Sequence, residues 1–211
     1  MVFHHFFSLS RPFILCYNLL MPIQEPITVL TNLPILIFSL YCFNSLRQKP
    51  SPASLFAASF LFLALMTLCG TLYHINNYTF FTLQKYGTMI FGGLFSASLG
   101  LAALFDNFKP KTARVLAGLP IASFIFYLLA IRNNSFLPFI LLQLFNILII
   151  FFAYLQGWPG RKTLFIYGAC LAFILAGLVQ TQPVKFLAFN NNDLFHIVAL
   201  ASIALLYLGL P

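Results

Sequence analysis

The sequence has very few charged side chains, and acidic ones are the scarcest. Three of the 211 residues are Asp or Glu, and all charged residues together make up 7% of the chain. Soluble globular domains carry about 25% charged residues, so this composition excludes an ordinary soluble domain. Hydrophobic residues account for 61% of the chain, and the mean hydropathy is +0.95. These values indicate a protein of the lipid bilayer.

The sequence also lacks internal repeats, low-complexity tracts and paired cysteines. Its four cysteines lie in or beside apolar runs without a shared spacing: Cys16, Cys42, Cys69 and Cys170. This placement favours buried small hydrophobic residues over disulfides or a metal knuckle. We therefore expect one membrane domain with free thiols.

Seven apolar runs are long enough for spanning helices, each of which needs about 20 residues. They cover residues 23–43, 53–73, 86–105, 115–131, 136–155, 164–182 and 193–210. Helices satisfy their own backbone polar groups in lipid, so the runs predict an all-α, seven-transmembrane bundle over residues 21–211. Residues 1–20 form a separate N-terminal segment, which either lies along the interface or precedes a true start at Met21.

The net charge of +8 sits in the loops between these runs, which indicates membrane orientation and not nucleic-acid binding. Seven basic residues follow odd-numbered spans: Arg47, Lys49, Lys109, Lys111, Arg114, Arg161 and Lys162. Four lie on the other side: Arg11, Lys85, Arg132 and Lys185. The bias predicts an outward N-terminus and a cytoplasmic C-terminus, in a multi-pass protein of a bacterial inner membrane. The expected partners are the bilayer and a lipid substrate; the oligomeric state stays open.

Polar residues at three span ends are predicted to meet at the outer face. In a seven-span topology, Glu25 opens span one, His74 closes span two, and Asp193 and His196 open span seven. An ionisable group at bilayer depth costs roughly 2.5–3.5 kcal/mol on insertion scales, so such groups usually have a partner or a function. The convergence therefore predicts a functional site.

Span one carries a polar stripe. Glu25, Thr28 and Asn32 are spaced i, i+3 and i+7, which places them on one helix face toward the bundle. Interhelical hydrogen bonding explains Thr28 and Asn32 equally well. It explains Glu25 less well, because a carboxylate needs more than one amide donor to stay charged there.

Span seven offers two side chains that can share a cavity with His196. Asn192 precedes it by four residues and Asp193 by three. An N-cap for the helix is the alternative explanation for one of the pair. For His74, the alternative is a boundary residue at the membrane interface.

Two histidines and a carboxylate form a plausible zinc shell. His74, His196 and Asp193 would be the ligands, with an open fourth position for water. Other polar or small residues predict helix contacts. Gln143 and Asn146 lie i, i+3 in span five, and span three carries small residues at Gly93, Ser96, Ala97 and Gly100.

The three polar blocks resemble those of the CREST superfamily of seven-helix membrane proteins, which contains alkaline ceramidases and progestin/adiponectin receptors. The first block is E-P-I-T-V-L-T-N-L, with Glu25, Thr28, Thr31 and Asn32 in register. The second, C-G-T-L-Y-H, supplies His74, and the third, N-D-L-F-H, supplies Asn192 and His196. The resemblance covers the whole chain in span count but only these blocks in residues.

The chain departs from the family pattern at three positions. Gly70 stands where a serine is expected, although Thr71 offers a nearby hydroxyl. Gln84 or Lys85 replaces an aspartate, and Asn192 replaces the first histidine of the span-seven pair. Either the site is rebuilt as His74, His196 and Asp193, or the metal has been lost.

The resemblance implies a divergent, zinc-dependent hydrolase of a lipid amide or ester. His74, His196 and Asp193 would hold zinc, with Asp193 alternatively the base and Thr71 facing the oxyanion. The metal ligands would in turn be held in place by contacts with four further residues: Glu25, Thr28, Asn32 and Asn192. The alternative is a non-catalytic receptor, carrier or scaffold on the same fold.

Overall fold

The computed structural model describes residues 25–75, 81–131, 137–155, 160–182, 185–186 and 189–210. The predicted segment 1–20, Met21 and Cys16 lie outside these residues. Eight helices and two short strands follow in chain order within the described part. They are α1 (Pro26–Leu46), α2 (Ala53–Ile75), α3 (Phe81–Asn107), α4 (Pro110–Leu116), α5 (Gly118–Ala130), α6 (Leu137–Tyr154), α7 (Arg161–Thr181), β1 (Lys185–Phe186), β2 (Phe189–Asn190) and α8 (Asn191–Gly209).

Among the residues that the structure describes, seven helical segments are long and apolar enough to cross a membrane. Six of them are single helices, and the fourth, Pro110–Ala130, consists of α4 and α5 together. The predicted number of spans and the all-α class are thus confirmed, and the architecture is that of a multi-pass membrane protein.

Two spans begin five residues before their predicted start, whereas the other five begin and end within three residues of the predicted bounds. The third helix begins at Phe81, five residues before the apolar run, because the polar residues before it continue the same helix. The fourth span begins at Pro110, a residue that suits a first helical turn because the missing N–H has no helical partner there. Backbone hydrogen bonds from Ala117 and Ile121 carry the chain from α4 into α5.

The helices pack as a ring with one outer member. The most extensive contacts are between α7 and α8, between α2 and α3, and between α1 and α2. Helix α3 also packs on α6, α6 on α7, and α1 on α8, which closes the ring, while α5 packs outside against α3 and α6. As a result, the start of α1, the end of α2 and the start of α8 share one end of the bundle.

The core is formed by large apolar side chains and free thiols. Phe56, Phe60 and Ile203 are almost completely buried. Cys42 and Cys170 are buried, which confirms the prediction of buried cysteines for these two, whereas Cys69 is only partly buried.

A short hairpin connects the last two spans, where the sequence predicts only a polar loop. Strands β1 and β2 pair antiparallel, with Lys185 opposite Asn190 and Phe186 opposite Phe189. The side chain of Asn191 donates to the carbonyl of Gln180 at 2.7 Å, which ties the start of α8 to the end of α7. The strand pair and this bond therefore hold the start of α8 close to the end of α7.

Candidate site at the end of the bundle

The first contact of the site joins α1 to α2. His74 Nδ1 lies 2.9 Å from Glu25 Oε2, and the histidine side chain is 14% exposed while the glutamate is 44% exposed. Glu25 is the residue that precedes α1, with Pro26 in the first helical turn. The predicted meeting of the start of span one with the end of span two is thus confirmed.

The second contact joins α1 to α8. Thr28 Oγ1 donates to Asp193 Oδ1 at 2.6 Å, and both residues are buried. The other carboxylate oxygen, Oδ2, accepts from the backbone N–H of Asn190 at 2.9 Å. Each carboxylate oxygen thus accepts one hydrogen bond and keeps a lone pair for a further partner.

Asn190 caps α8, and Asp193 completes the capping box. The side chain of Asn190 accepts from the backbone N–H groups of Asn192 and Asp193, and Asp193 accepts in return from Asn190. The sequence prediction that Asn192 or Asp193 is the N-cap is therefore wrong. The helix begins earlier than its apolar run, because this reciprocal pairing satisfies its first N–H groups.

The third contact also joins α1 to α8, through Thr31 and His196. Thr31 Oγ1 lies 3.0 Å from His196 Nδ1 and 3.0 Å from the carbonyl oxygen of Thr28. A carbonyl only accepts, so the single hydroxyl proton of Thr31 goes to Thr28. With that proton directed to Thr28, Thr31 accepts from His196, and the ring proton of His196 is assigned to Nδ1 on this basis.

The same reasoning fixes the proton of His74. Glu25 as a carboxylate only accepts, so His74 also carries its proton on Nδ1. In both rings Nε2 is then an acceptor. Metal-binding histidines are commonly held in this way, with the other ring nitrogen donating to a carboxylate or another oxygen.

The residues that form these contacts are hereafter called the end cluster. Its members are Glu25, Thr28, Thr31, His74, Asp193 and His196. They come from three helices, as predicted, and the structure brings all four ionisable side chains to one end of the bundle.

Three other predicted site residues lie at different distances from this cluster. Asn192 Nδ2 lies 3.4 Å from His74 Nε2, a long and weak hydrogen bond. Asn32 is buried one turn further along α1 than Thr28. Thr71 is buried, and its hydroxyl donates to the carbonyl of Thr67 in its own helix at 2.8 Å. Its role toward an oxyanion stays a prediction that requires this hydroxyl to rotate.

A groove opens beside the end cluster, between α1 and α8. Its volume is about 480 Å³, within the range of roughly 300–1,000 Å³ that is typical of ligand pockets. Thr31 and His196 are its polar lining residues. Its apolar lining consists of Ile27, Leu30, Pro34, Phe189, Ile197 and Leu200. The sequence analysis missed this groove, although the α1 members recur at i, i+3 and i+7, the spacing of one helix face.

Pro34 gives the groove a further polar feature. It lies inside α1 and has no N–H to donate to the carbonyl of Leu30, one turn earlier. Leu30 and Pro34 both line the groove. A backbone acceptor that lacks its helical partner is therefore placed beside the groove, in a helix that otherwise satisfies its own polar groups.

The donor types at the end cluster fit zinc, which binds imidazole nitrogen and carboxylate oxygen. The two Nε2 lone pairs and the remaining lone pairs of Asp193 are the available donors. Within the described part of the chain, no three His, Cys, Asp or Glu side chains are grouped as a metal site. Zinc at this cluster stays a prediction.

The sequence of the chain matches one known protein family. The model of a family of unknown function (DUF6962) matches residues 27–211. The chain belongs to this family. The matched region includes every member of the end cluster except Glu25, together with the whole groove lining. No curated protein and no solved structure matches the chain.

Proposed function

We propose that the protein is a membrane-embedded hydrolase of a lipid amide or ester that uses zinc held by His74, His196 and Asp193. The observation that carries the proposal is the orientation of the two imidazoles. Nδ1 of His74 lies 2.9 Å from Glu25 and Nδ1 of His196 lies 3.0 Å from Thr31, which assigns the ring proton to Nδ1 and leaves Nε2 as the acceptor in both rings. The resemblance of the three polar blocks to the CREST superfamily supports the same reaction class.

The groove supports a lipid as the substrate class. It lies between two spanning helices and is apolar except at Thr31 and His196, so an acyl chain fits its walls. The carbonyl of Leu30 lacks a helical donor because of Pro34, and it can accept from an amide N–H or a hydroxyl next to that chain. A lipid substrate would enter the groove sideways from the bilayer. This route agrees with the fold, because the described part of the chain contains no soluble domain.

The chain's own residues would hold the ligands in place. Glu25 orients His74, and Thr31 orients His196, so both rings present the same nitrogen atom. Thr28 fixes Asp193 from α1. Bound zinc would lower the pKa of its water and polarise the substrate carbonyl. Asn192, which donates weakly to His74 Nε2, would have to turn away from a metal at that atom.

A second candidate function is favoured by the contacts of Asp193. Its two oxygens accept from Thr28 and from the cap residue Asn190, which is a structural role. With Asp193 so engaged, the end cluster becomes a hydrogen-bond network beside a lipid groove. The protein would then be a non-catalytic lipid receptor, carrier or scaffold on the same fold.

The orientation and the membrane belong to this proposal as well. The excess of basic residues after odd-numbered spans supports a cytoplasmic C-terminus, which places the end cluster at the outer face. We propose the inner membrane of a bacterium as its location.

Metal content and lipid hydrolysis, measured together, test the proposal. Protein purified in detergent is analysed for zinc and then assayed in vesicles that contain an N-acyl lipid amide or a matched ester. Wild type should hold about one zinc ion per chain, and His74→Ala and His196→Ala should each lose the metal and the activity. Ser98→Ala is the control, because its hydroxyl bonds a carbonyl of its own helix.

Thr31→Val refines the test. It keeps the side-chain shape but removes the acceptor for His196, and loss of such a supporting bond typically weakens metal binding by about 10–100-fold. Thr88→Val is its matched control, since the hydroxyl of Thr88 bonds the carbonyl of Gln84. Zinc that is unchanged in His74→Ala would reject the proposal, and metal-free wild type that binds the lipid without cleaving it would support the second candidate.

A further inference from the structure

A second polar group lies in the interior of the bundle, away from the end cluster, and its first member is Ser96 of α3. Ser96 is 2% exposed, and its hydroxyl has no hydrogen-bond partner among the described residues. Serine and threonine in helices usually bond a carbonyl of the preceding turn. Ser98 and Thr88 in the same helix do so. The hydroxyl of Ser96 is therefore directed elsewhere.

The second member is Asn146 of α6, which is 1% exposed. Its Nδ2 donates to the carbonyl of Leu142 at 3.0 Å and to Ser123 Oγ at 3.5 Å. Its Oδ1 has no partner within the described ranges. This oxygen lies against Gly100 so closely that a Cβ added there would be 2.5 Å from it.

Ser96 Oγ and Asn146 Oδ1 both lie where α3 packs on α6. Gly92, Ser96 and Gly100 recur every four residues and so share one face of α3. On α6, Gln143 Nε2 donates to the carbonyl of Gly92 at 3.4 Å, and Asn146 packs on Gly100. Ser96 stands between these two contacts, about 6 Å along the helix axis from Gly100.

A small cavity lies at this position. Its volume is about 10 Å³; Ser96, Gln143 and Asn146 are its polar lining residues, and the rest of its lining is apolar. By the same measure, roughly 10–15 Å³ is what one water molecule needs. Two O–H···O bonds of about 2.8 Å each let one water molecule join oxygens that are about 5 Å apart.

We infer that this cavity binds one ordered water molecule, which bridges Ser96 and Asn146 in the centre of the bundle. The water accepts or donates at Ser96 Oγ and donates to Asn146 Oδ1, with Gln143 as a third neighbour. It supplies the partners that both buried oxygens lack in the described protein, because a buried polar group without a partner is unfavourable. Ser96, Gln143 and Asn146 are hereafter called the mid-bundle cluster.

The inference is tested by whether Ser96→Ala lowers or raises the stability of the protein. This test does not depend on any catalytic function. If a water joins the two oxygens, Ser96→Ala breaks the bridge and should raise the unfolding equilibrium constant about fivefold. Ser98→Ala is the matched control on the same helix and should change it less than about twofold, since its hydroxyl serves only its own backbone. The measurement is reversible unfolding in mixed detergent micelles.

A dry cavity predicts the opposite sign. The hydroxyl of Ser96 would then be an unsatisfied buried group, and Ser96→Ala would leave stability unchanged or raise it, which would overturn the inference. In an Asn146→Leu background the effect of Ser96→Ala should disappear, because the bridge is already broken. An experimental structure that resolves ordered water should show one molecule between the two side chains, and clear density without it would also overturn the inference.

Discussion

The end cluster and the mid-bundle cluster both place polar side chains inside an apolar bundle, but the polar atoms of the two clusters are paired in different ways. The end cluster joins three helices through direct bonds between side chains, such as Thr28 to Asp193 and Glu25 to His74. The mid-bundle cluster joins two helices through close approach at glycine, and two of its oxygens have no partner in the described protein. The first cluster borders a groove of about 480 Å³, and the second surrounds about 10 Å³.

The two clusters also differ in the chemistry of their side chains. The ionisable side chains lie at the end of the bundle, where His196 borders the groove. Neutral side chains lie in the interior, where the space suits water alone. We therefore expect substitutions in the end cluster to change function and helix pairing together, and substitutions in the mid-bundle cluster to change stability only.

The largest effect on stability is expected at Asp193. Asp193→Ala removes the bond from Thr28 and the capping box with Asn190, so it should lower the free energy of unfolding by about 3 kcal/mol. Asp106→Ala is the control at the opposite end, where Tyr154 Oη donates to Asp106 at 2.6 Å. It should cost about 1–2 kcal/mol. Equal losses in the two variants would mean that Asp193 does not hold α1 and α8 together.

The second-largest effect on stability is expected at Gly100, in the interior of the bundle. Gly100→Ala places a methyl group against Asn146 Oδ1, so Asn146 must move and weaken its bond to the carbonyl of Leu142. We expect a loss of about 1–2 kcal/mol in unfolding experiments. Gly118→Ala is the matched control, because nothing lies within 4 Å of a Cβ at that position. If both variants are equally stable, the close approach of α3 and α6 does not matter for stability.

The smallest effect is expected at Thr28. Thr28→Val keeps the shape of the side chain and removes its bond to Asp193 across the helix pair. In membrane proteins such bonds contribute about 0.6 kcal/mol on average, and the charge of Asp193 raises this expectation to about 1 kcal/mol. Thr67→Val is the control, since buried Thr67 bonds only along its own helix, to the carbonyl of Leu63. No difference between the two valine variants would show that the bond to Asp193 adds nothing to stability.

The sequence predicted that the ionisable residues of three span ends lie close together, but it did not predict which side chains form hydrogen bonds with each other. The meeting of Glu25, His74, Asp193 and His196 follows from counting spans, because alternate helices run in opposite directions. The pairing of Thr31 with His196 does not follow, and the sequence analysis gave Thr31 no role in the site. The cap at Asn190 could have been found from the Asn-x-x-Asp spacing before the last apolar run, a pattern that resembles a capping box.

The sequence by itself determined the number of apolar spans in the described part of the chain, the membrane setting and the end of the bundle where Glu25, His74, Asp193 and His196 meet. These properties depend on the length and polarity of local segments, which tertiary contacts do not change. The tertiary structure alone decided the groove between α1 and α8, the direction of both imidazoles and the interior cavity beside Ser96. Helices that are apolar on nearly all sides give little indication of their rotation, so packing against neighbours sets which face points inward.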